Sequence, residues 1–249
     1  MKAWFTALLA LLIVVAPSAA PARIGAKAVA KEGFAFPKDK PLSIVVLRPD
    51  VKVGSLTTGG IDEANAEWTA RARELIADAL QHSPRASGAK FSFLDEPQGE
   101  AGAYVADYRA LFRAVSDAII THKLFPGNRL PTKKEKFDWT LGPGAAHLRE
   151  IGGADYALFF LTHDAYGTAG RKVAQFLAAG LLGVYVPPGV HMGYAGLVDL
   201  STGEVVWFNA DVQMGGDVRT PDGAQKRVDE LLNGFPTSDL PPAKQTAAK

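Results

Sequence analysis

The stretch from Gly193 to Asp211 constrains this chain more than any other. Two apolar, β-rich runs flank Ser201-Thr202-Gly203, and a short glycine-containing link between such runs spells a hairpin. Gly203 takes the left-handed conformation that closes a three-residue loop, because it has no Cβ to clash there. Past the turn, Glu204, Val206, Phe208, Ala210 and Val212 point to one face, and Val205, Trp207, Asn209 and Asp211 to the other. The first of these faces is mostly apolar and is expected to lie on a core.

Other elements fall around the hairpin. Leu42 to Leu47 is a continuous apolar, β-branched run, the pattern of a strand covered on both faces, and Arg48-Pro49 ends it. Gly54 to Gly60 reads as a loop. A helix is expected after it, with Ile61, Ala64, Trp68, Ala72, Leu75, Ile76 and Ala79 on one stripe. Phe91 to Leu94 is a short strand. Tyr104, Tyr108, Leu111, Phe112, Val115, Ile119 and Ile120 mark a second helix, and a brief one ends at Gly152-Gly153. Tyr156 to Leu161 is apolar on both faces and belongs at the centre of the sheet. Thr220-Pro221 opens the last helix, Thr capping and Pro in the first turn. The layout is α/β: a single mixed sheet with crossover helices and a C-terminal antiparallel hairpin.

The amino terminus has the grammar of an export signal. Met1-Lys2 is positive, Ala3 to Val15 is apolar without a charge, and Ala20-Pro21-Ala22 places cleavage before Arg23. The apolar run is shorter than the ~20 residues of a spanning helix. The expected organisation is a signal peptide over 1–22, a mobile lead-in over 23–40, one α/β domain over 41–235 and a disordered tail over 236–249. The expected location is the periplasm of a two-membrane bacterium.

Charge and cysteine usage narrow the partners. The chain has 27 basic and 26 acidic side chains, and loss of Lys2 with the leader leaves them balanced. No global field then attracts nucleic acid or anionic lipid. With no cysteine there are no disulfides, no thiolate chemistry and no lipid-bearing cysteine.

Chemistry-bearing motifs are sparse. Gly54-x4-Gly59 has phosphate-loop spacing, but Gly60 stands where a Lys is needed and Ile61 where a hydroxyl must hold Mg²⁺. His163-Asp164 follows the central strand, where ligands collect at strand ends. The remaining histidines, His82, His122, His147 and His191, show no metal-ligand spacing relative to it. No Gly-x-Ser-x-Gly elbow exists. Lys133 to Trp139 interleaves bases and aromatics, and reads as a solvated connector with Phe137 and Trp139 pinned to the body. The expectation is no cofactor, no metal and no nucleic acid.

Val173 to Val186 carries one polar side chain, Gln175, and ends at Pro187-Pro188-Gly189. Burial is the common fate of such a run, as a helix passing into a strand or loop. The alternative is an exposed surface for a partner, in which case Phe176, Leu177, Leu181, Leu182 and Tyr185 are the candidate partner-binding residues.

Three stretches resemble a bacterial envelope family: Ile44 to Pro49 with its following helix, Gly153 to Leu158, and Asp199-Leu200-Ser201-Thr202-Gly203-Glu204-Val205-Val206-Trp207, which is similar to a D-x-x-T-G-E-V-x-W hairpin. The family comprises the amino-terminal domain of the periplasmic Tol–Pal propeller protein, the curli-secretion lipoprotein and penicillin-binding-protein activator lipoproteins. The resemblance implies a non-enzymatic role in envelope assembly or secretion through contacts with other envelope proteins. Two other classes stand beside it: a small-ligand or lipid carrier, and a metal-dependent hydrolase using His163 and Asp164.

Overall fold

A computed structural model describes residues 27–38, 41–83, 90–133 and 136–236. The expected signal peptide, and the expected tail from residue 237 on, lie outside the described residues.

The sheet is built on one long strand, β6 (Tyr156–Gly167), which takes different partners along its length. Its first part pairs in parallel with β2 (Ser43–Val46), from Ile44↔Tyr156 to Val46↔Leu158. Its second part pairs in parallel with β3 (Asp50–Leu56), from Asp50↔Leu161 to Leu56↔Gly167. Pro49, which has no N–H to give a ladder, sits in the break between β2 and β3. On the other edge, β7 (Gly189–Asp199) runs antiparallel to all of β6, from Tyr156↔Asp199 to Tyr166↔Gly189. Beyond β7 come β8 (Val205–Asp211) and then β1 (Lys27–Ala30), both antiparallel. Beyond β2 lies β5 (Lys90–Phe93), parallel, while β4 (Asp62–Ala64) folds back on β3. The order is β1-β8-β7-β6-β2-β5, a mixed sheet as the sequence predicts.

Helices cover both faces. On one side α1 (Ala66–Gln81) and α5 (Pro221–Leu231) pack Ile76, Leu80, Val228 and Leu231 onto Ile44, Val53, Leu158, Leu197 and Trp207. On the other, α2 (Gly99–Ile119) and α3 (Ala145–Gly152) pack Phe112, Ile119 and Leu148 onto Val45, Phe159, Tyr194 and Phe208. The caps follow the local chemistry. The Asn65 side chain accepts from the Trp68 N–H, and Thr220 accepts from Gly223 ahead of Pro221. Gly153 closes α3 at φ 63°.

Gly203 does adopt a positive φ, 75°. Asp199 organises the turn: its carboxylate accepts from the backbone N–H and the hydroxyl of Ser201, and its carbonyl from the Gly203 N–H. The turn is also clamped from outside, because the Gly203 carbonyl accepts from Leu141 N–H at 2.7 Å and from the Thr140 hydroxyl at 3.0 Å. The residues of the D-x-x-T-G-E stretch thus have a structural explanation.

Four expectations change. The simple alternation along β8 fails because register shifts at Leu197/Val198, with Leu197 opposite Trp207 and Val198 opposite Val205. Val206 is the extra residue of a bulge, so Val206 and Trp207 share the α1/α5 face while Val205 and Phe208 share the other. Gly54 lies inside β3 rather than in a loop. A Cβ there would sit 2.2 Å from the Glu63 carbonyl oxygen, so the glycine marks the close approach of β4. Ile61 and Ala64 precede α1, whose true start is set by the Asn65 cap. Within the expected lead-in, Lys27–Ala30 is laddered to β8, and buried Phe36 packs edge-on to Tyr156 at 5.2 Å, which ties that segment to the body.

Candidate functional site: an apolar helix outside the sheet

The apolar run at 173–186 is not buried. The antiparallel β6/β7 pair continues to Tyr166↔Gly189, and the chain between them rises as α4 (Ala169–Leu182) and a return loop. Over the centre of the sheet one face is taken by α1 and α5 and the other by α2 and α3, and α4 emerges from the end of the β6/β7 pair.

Its foot is fixed by polar contacts. The Thr168 side chain accepts from the Arg171 N–H. Arg171 is itself buried, donating from Nε to the Pro187 carbonyl at 2.9 Å and from a terminal nitrogen to the Thr57 carbonyl at 3.1 Å. One guanidinium therefore joins α4, the loop entering β7 and the β3–β4 turn. At the far end Gly183 is left-handed at φ 64°, and the Val184 N–H reaches back to the Ala178 carbonyl.

Between these anchors, Val173, Phe176, Leu177 and Leu181 recur at helical spacing and stand in solvent, followed by Val184 and Tyr185 in the loop. Phe176 and Leu181 are each 78% exposed and Tyr185 is 70% exposed. The structure thus places four of the candidate residues, Phe176, Leu177, Leu181 and Tyr185, on the surface, and Leu182 is the last residue of the helix. Full burial of a Leu or Phe side chain stabilises by ~1.5–3 kcal/mol, so three such side chains left in water represent on the order of 5 kcal/mol. The sequence reading missed Ile61, 65% exposed at the β3–β4 turn. Its carbonyl accepts from Thr57 N–H, and the Thr57 carbonyl holds Arg171, so Ile61 belongs to the same end of the molecule as the foot of α4. The signal that could have found it was Asn65, whose cap excludes Ile61 from α1.

His163 and Asp164 do not form a joint site. Neighbours on a strand point to opposite faces, and each has its own partners. His163 Nε2 lies 2.8 Å from an Asp62 carboxylate oxygen that also pairs with Lys52. Asp164, fully buried on the other face, takes two 2.8 Å bonds from the Arg227 guanidinium, one from the Thr162 hydroxyl at 2.9 Å, and faces His191 Nδ1 at 2.8 Å. Burial pushes the Asp164 carboxyl up, but the bonds from His191, Arg227 and Thr162 outweigh it and hold the group below the usual carboxylate range. This is a lock between the sheet and α5. Among the described residues no three His, Cys, Asp or Glu side chains converge as a metal ion would require. In the polar connector, Phe137 is buried in the α2/α3-side core and Trp139 packs half-buried against it, both pinned to the body as expected, while the Lys133 ammonium lies 4.7 Å over the Trp139 ring.

The fold defines an α/β domain with helices on both faces of an open mixed sheet and an apolar helix set outside it. No family model matches the chain, and no curated protein matches it. Solved structures do resemble it. A PelC dodecamer from Paraburkholderia phytofirmans is 11% identical, with 85% of this chain and 97% of that chain covered, at a TM-score of 0.39. Lipoprotein GNA1162 from Neisseria meningitidis is 15% identical, with 71% and 82% covered, at 0.29. The C-terminal domain of LpoB from Salmonella enterica is 15% identical, with 74% and 88% covered, at 0.26. The resemblance to envelope lipoproteins read from the sequence is met among these structures. The likeness is one of fold alone. Among the described residues, no helix is long and apolar enough to cross a membrane.

Proposed function

We propose that this chain is an exported, non-enzymatic module of the bacterial cell envelope that binds another envelope protein through α4 and its return loop. The observation behind the reading is the exposure of Phe176, Leu177, Leu181 and Tyr185 on a helix whose foot is rigidly pinned by Arg171. A pinned apolar helix offers a partner burial energy without the cost of ordering a loop. Export rests on the leader grammar of residues 1–22. The non-enzymatic part is supported by His163 and Asp164, the pair that sequence offers for catalysis, being divided between two faces and held in ion pairs.

A protein partner is favoured over a lipid surface by charge. Helices that lie in a membrane interface carry Lys and Arg along their polar face. In α4 the bases are Arg171 and Lys172, both in the first turn, and Arg171 is buried in its own contacts. The test is affinity capture of tagged protein from intact, cross-linked cells, with Leu181→Asp alongside. The expected result is one or two envelope proteins enriched by the native chain and lost with Leu181→Asp, whose urea midpoint stays unchanged. Flotation with lipid vesicles in place of protein capture would instead make α4 a lipid anchor.

A further inference from the structure

The side of α4 that faces the body is set at its foot. Gly170 lies against the β3–β4 turn: an added Cβ there would sit 2.8 Å from Thr58 Oγ1, and the neighbouring Arg171 guanidinium donates to the Thr57 carbonyl. Up the helix from Gly170, the same side carries Ala174, Leu177 and Leu181, at the alternating four- and three-residue steps of a coiled-coil seam. Exposure grows along this row, from half-buried Ala174 through Leu177 at 49% to Leu181 at 78%, so the seam leaves the body as it rises. Exposed Ile61 stands at its base. The turn itself is stiff. The Thr57 hydroxyl accepts from the Ile61 N–H and the Thr57 carbonyl from the Gly60 N–H, each at 3.0 Å, while the Thr168 N–H ties the start of α4 to the Leu56 carbonyl at 3.1 Å. Helix and turn therefore form one fixed corner.

The chemistry of this corner selects its occupant. The wall is a single helix without an acid, and its two bases are buried Arg171 and Lys172, which points away from the seam. An apolar seam at heptad spacing is filled by the side chains of a facing helix, and small residues at the foot, Gly170 and Ala174, let that helix come close. From Ala174 to Leu181 the seam rises roughly 10 Å, so two to three turns of facing helix cover it. At the foot the character changes to acidic. Glu63 follows Ile61 by two residues, on the same side of the extended chain, and Glu67 stands in the first turn of α1. Both carboxylates are exposed, and neither has an ion-pair partner among the described residues. A basic side chain at the foot end of the facing helix complements them.

Resting on α4 as the working surface, we propose that the envelope partner enters this corner with an amphipathic helix, its apolar face on Leu177, Leu181 and Ile61 and a Lys or Arg of its lower end at Glu63. The test places a photoreactive residue in the full chain, in intact cells, at Leu177, at Ile61 and, as the control, at Lys172, and maps the adducts by mass spectrometry. The expected result is one and the same adduct from Leu177 and Ile61 and none from Lys172. The joined partner segment should carry apolar residues at helical spacing, with Lys or Arg at the end attached to Ile61. Glu63→Lys, at an exposed and unpaired position, should leave the urea midpoint unchanged and lower the Leu177 adduct yield about fivefold, the scale of one exposed ion pair. An adduct from Leu177 without one from Ile61 overturns the corner and leaves α4 as a docking helix, whereas no adduct from either position overturns both. Equal yields from all three positions, a joined segment that is a strand, a second copy of this chain as the adduct, or an undiminished yield in Glu63→Lys also overturns it.

Discussion

Arg227→Met should be among the most damaging single changes in this chain. Arg227 and Asp164 are both 0% exposed, and two 2.8 Å bonds join them between β6 and α5. The substitution keeps the apolar stem and removes the guanidinium, leaving the Asp164 carboxylate buried with Thr162 and His191 alone. Removing one member of a buried ion pair costs ~3–5 kcal/mol, a large part of the ~5–15 kcal/mol that holds a domain together. With a urea dependence of ~2 kcal/mol per M, the midpoint should fall by about 2 M. Fluorescence of Trp207, sealed in the same layer, reports the transition. The sign with pH is also fixed. The native Asp164 pKa is depressed, so the pair's contribution is complete above the unfolded carboxyl value of ~4 and fades as pH falls through the folded one. The gap between native and variant should therefore narrow in acid. Replacing both partners, Asp164→Leu with Arg227→Met, should recover much of the loss, because an apolar pair leaves no uncompensated charge. A cost below ~1 kcal/mol for Arg227→Met, or strict additivity in the double variant, would contradict the lock and reopen Asp164 as a reactive group.

Other outcomes follow from single contacts. Gly203→Ala meets both the positive φ and the Gly142 carbonyl oxygen, 2.0 Å from an added Cβ, and should cost about 2 kcal/mol or more in a thermal melt. Asn209→Ala removes the amide that donates to the Glu230 and Leu231 carbonyls at 2.9 and 3.0 Å, costing ~1–3 kcal/mol and speeding amide exchange at the end of α5. Asp217 is held down to about 2 by bonds from Arg219, so the native chain should lose stability between about pH 4 and about pH 2, and Arg219→Gln should flatten that slope in urea midpoints measured against pH. Leu181→Ser should move the urea midpoint by no more than ~0.5 kcal/mol equivalent, because its side chain is already in water.

The hairpin, the cap at Thr220, the stop at Gly153 and the central position of Tyr156–Leu161 were legible because each is written in a few adjacent residues. The bulge at Val206 was not. It depends on the register of Val198 against Val205, which no local pattern encodes. Strand β3 was hidden because Gly54 and Pro49 read as loop punctuation, whereas the glycine admits β4 and the proline lies in the break between β2 and β3. For α4, composition named the residues but favoured the wrong side of the surface. Whether an apolar helix is buried depends on whether a sheet face is left open to it, and over the centre of this sheet one face is taken by α1 and α5 and the other by α2 and α3. His163 and Asp164 show the reverse case: adjacency suggested one site, and strand geometry puts them on opposite faces.

The most direct test of the account is site-specific photo-cross-linking in intact cells, with the photoreactive residue placed at Phe176 or Leu181 on α4 and, as a control, at Glu74, exposed on α1. A discrete adduct with the same envelope protein from both α4 positions, and none from Glu74, is the predicted result. Adducts of equal yield from all three positions, or none from Phe176 and Leu181, would contradict the assignment of α4 as the working surface.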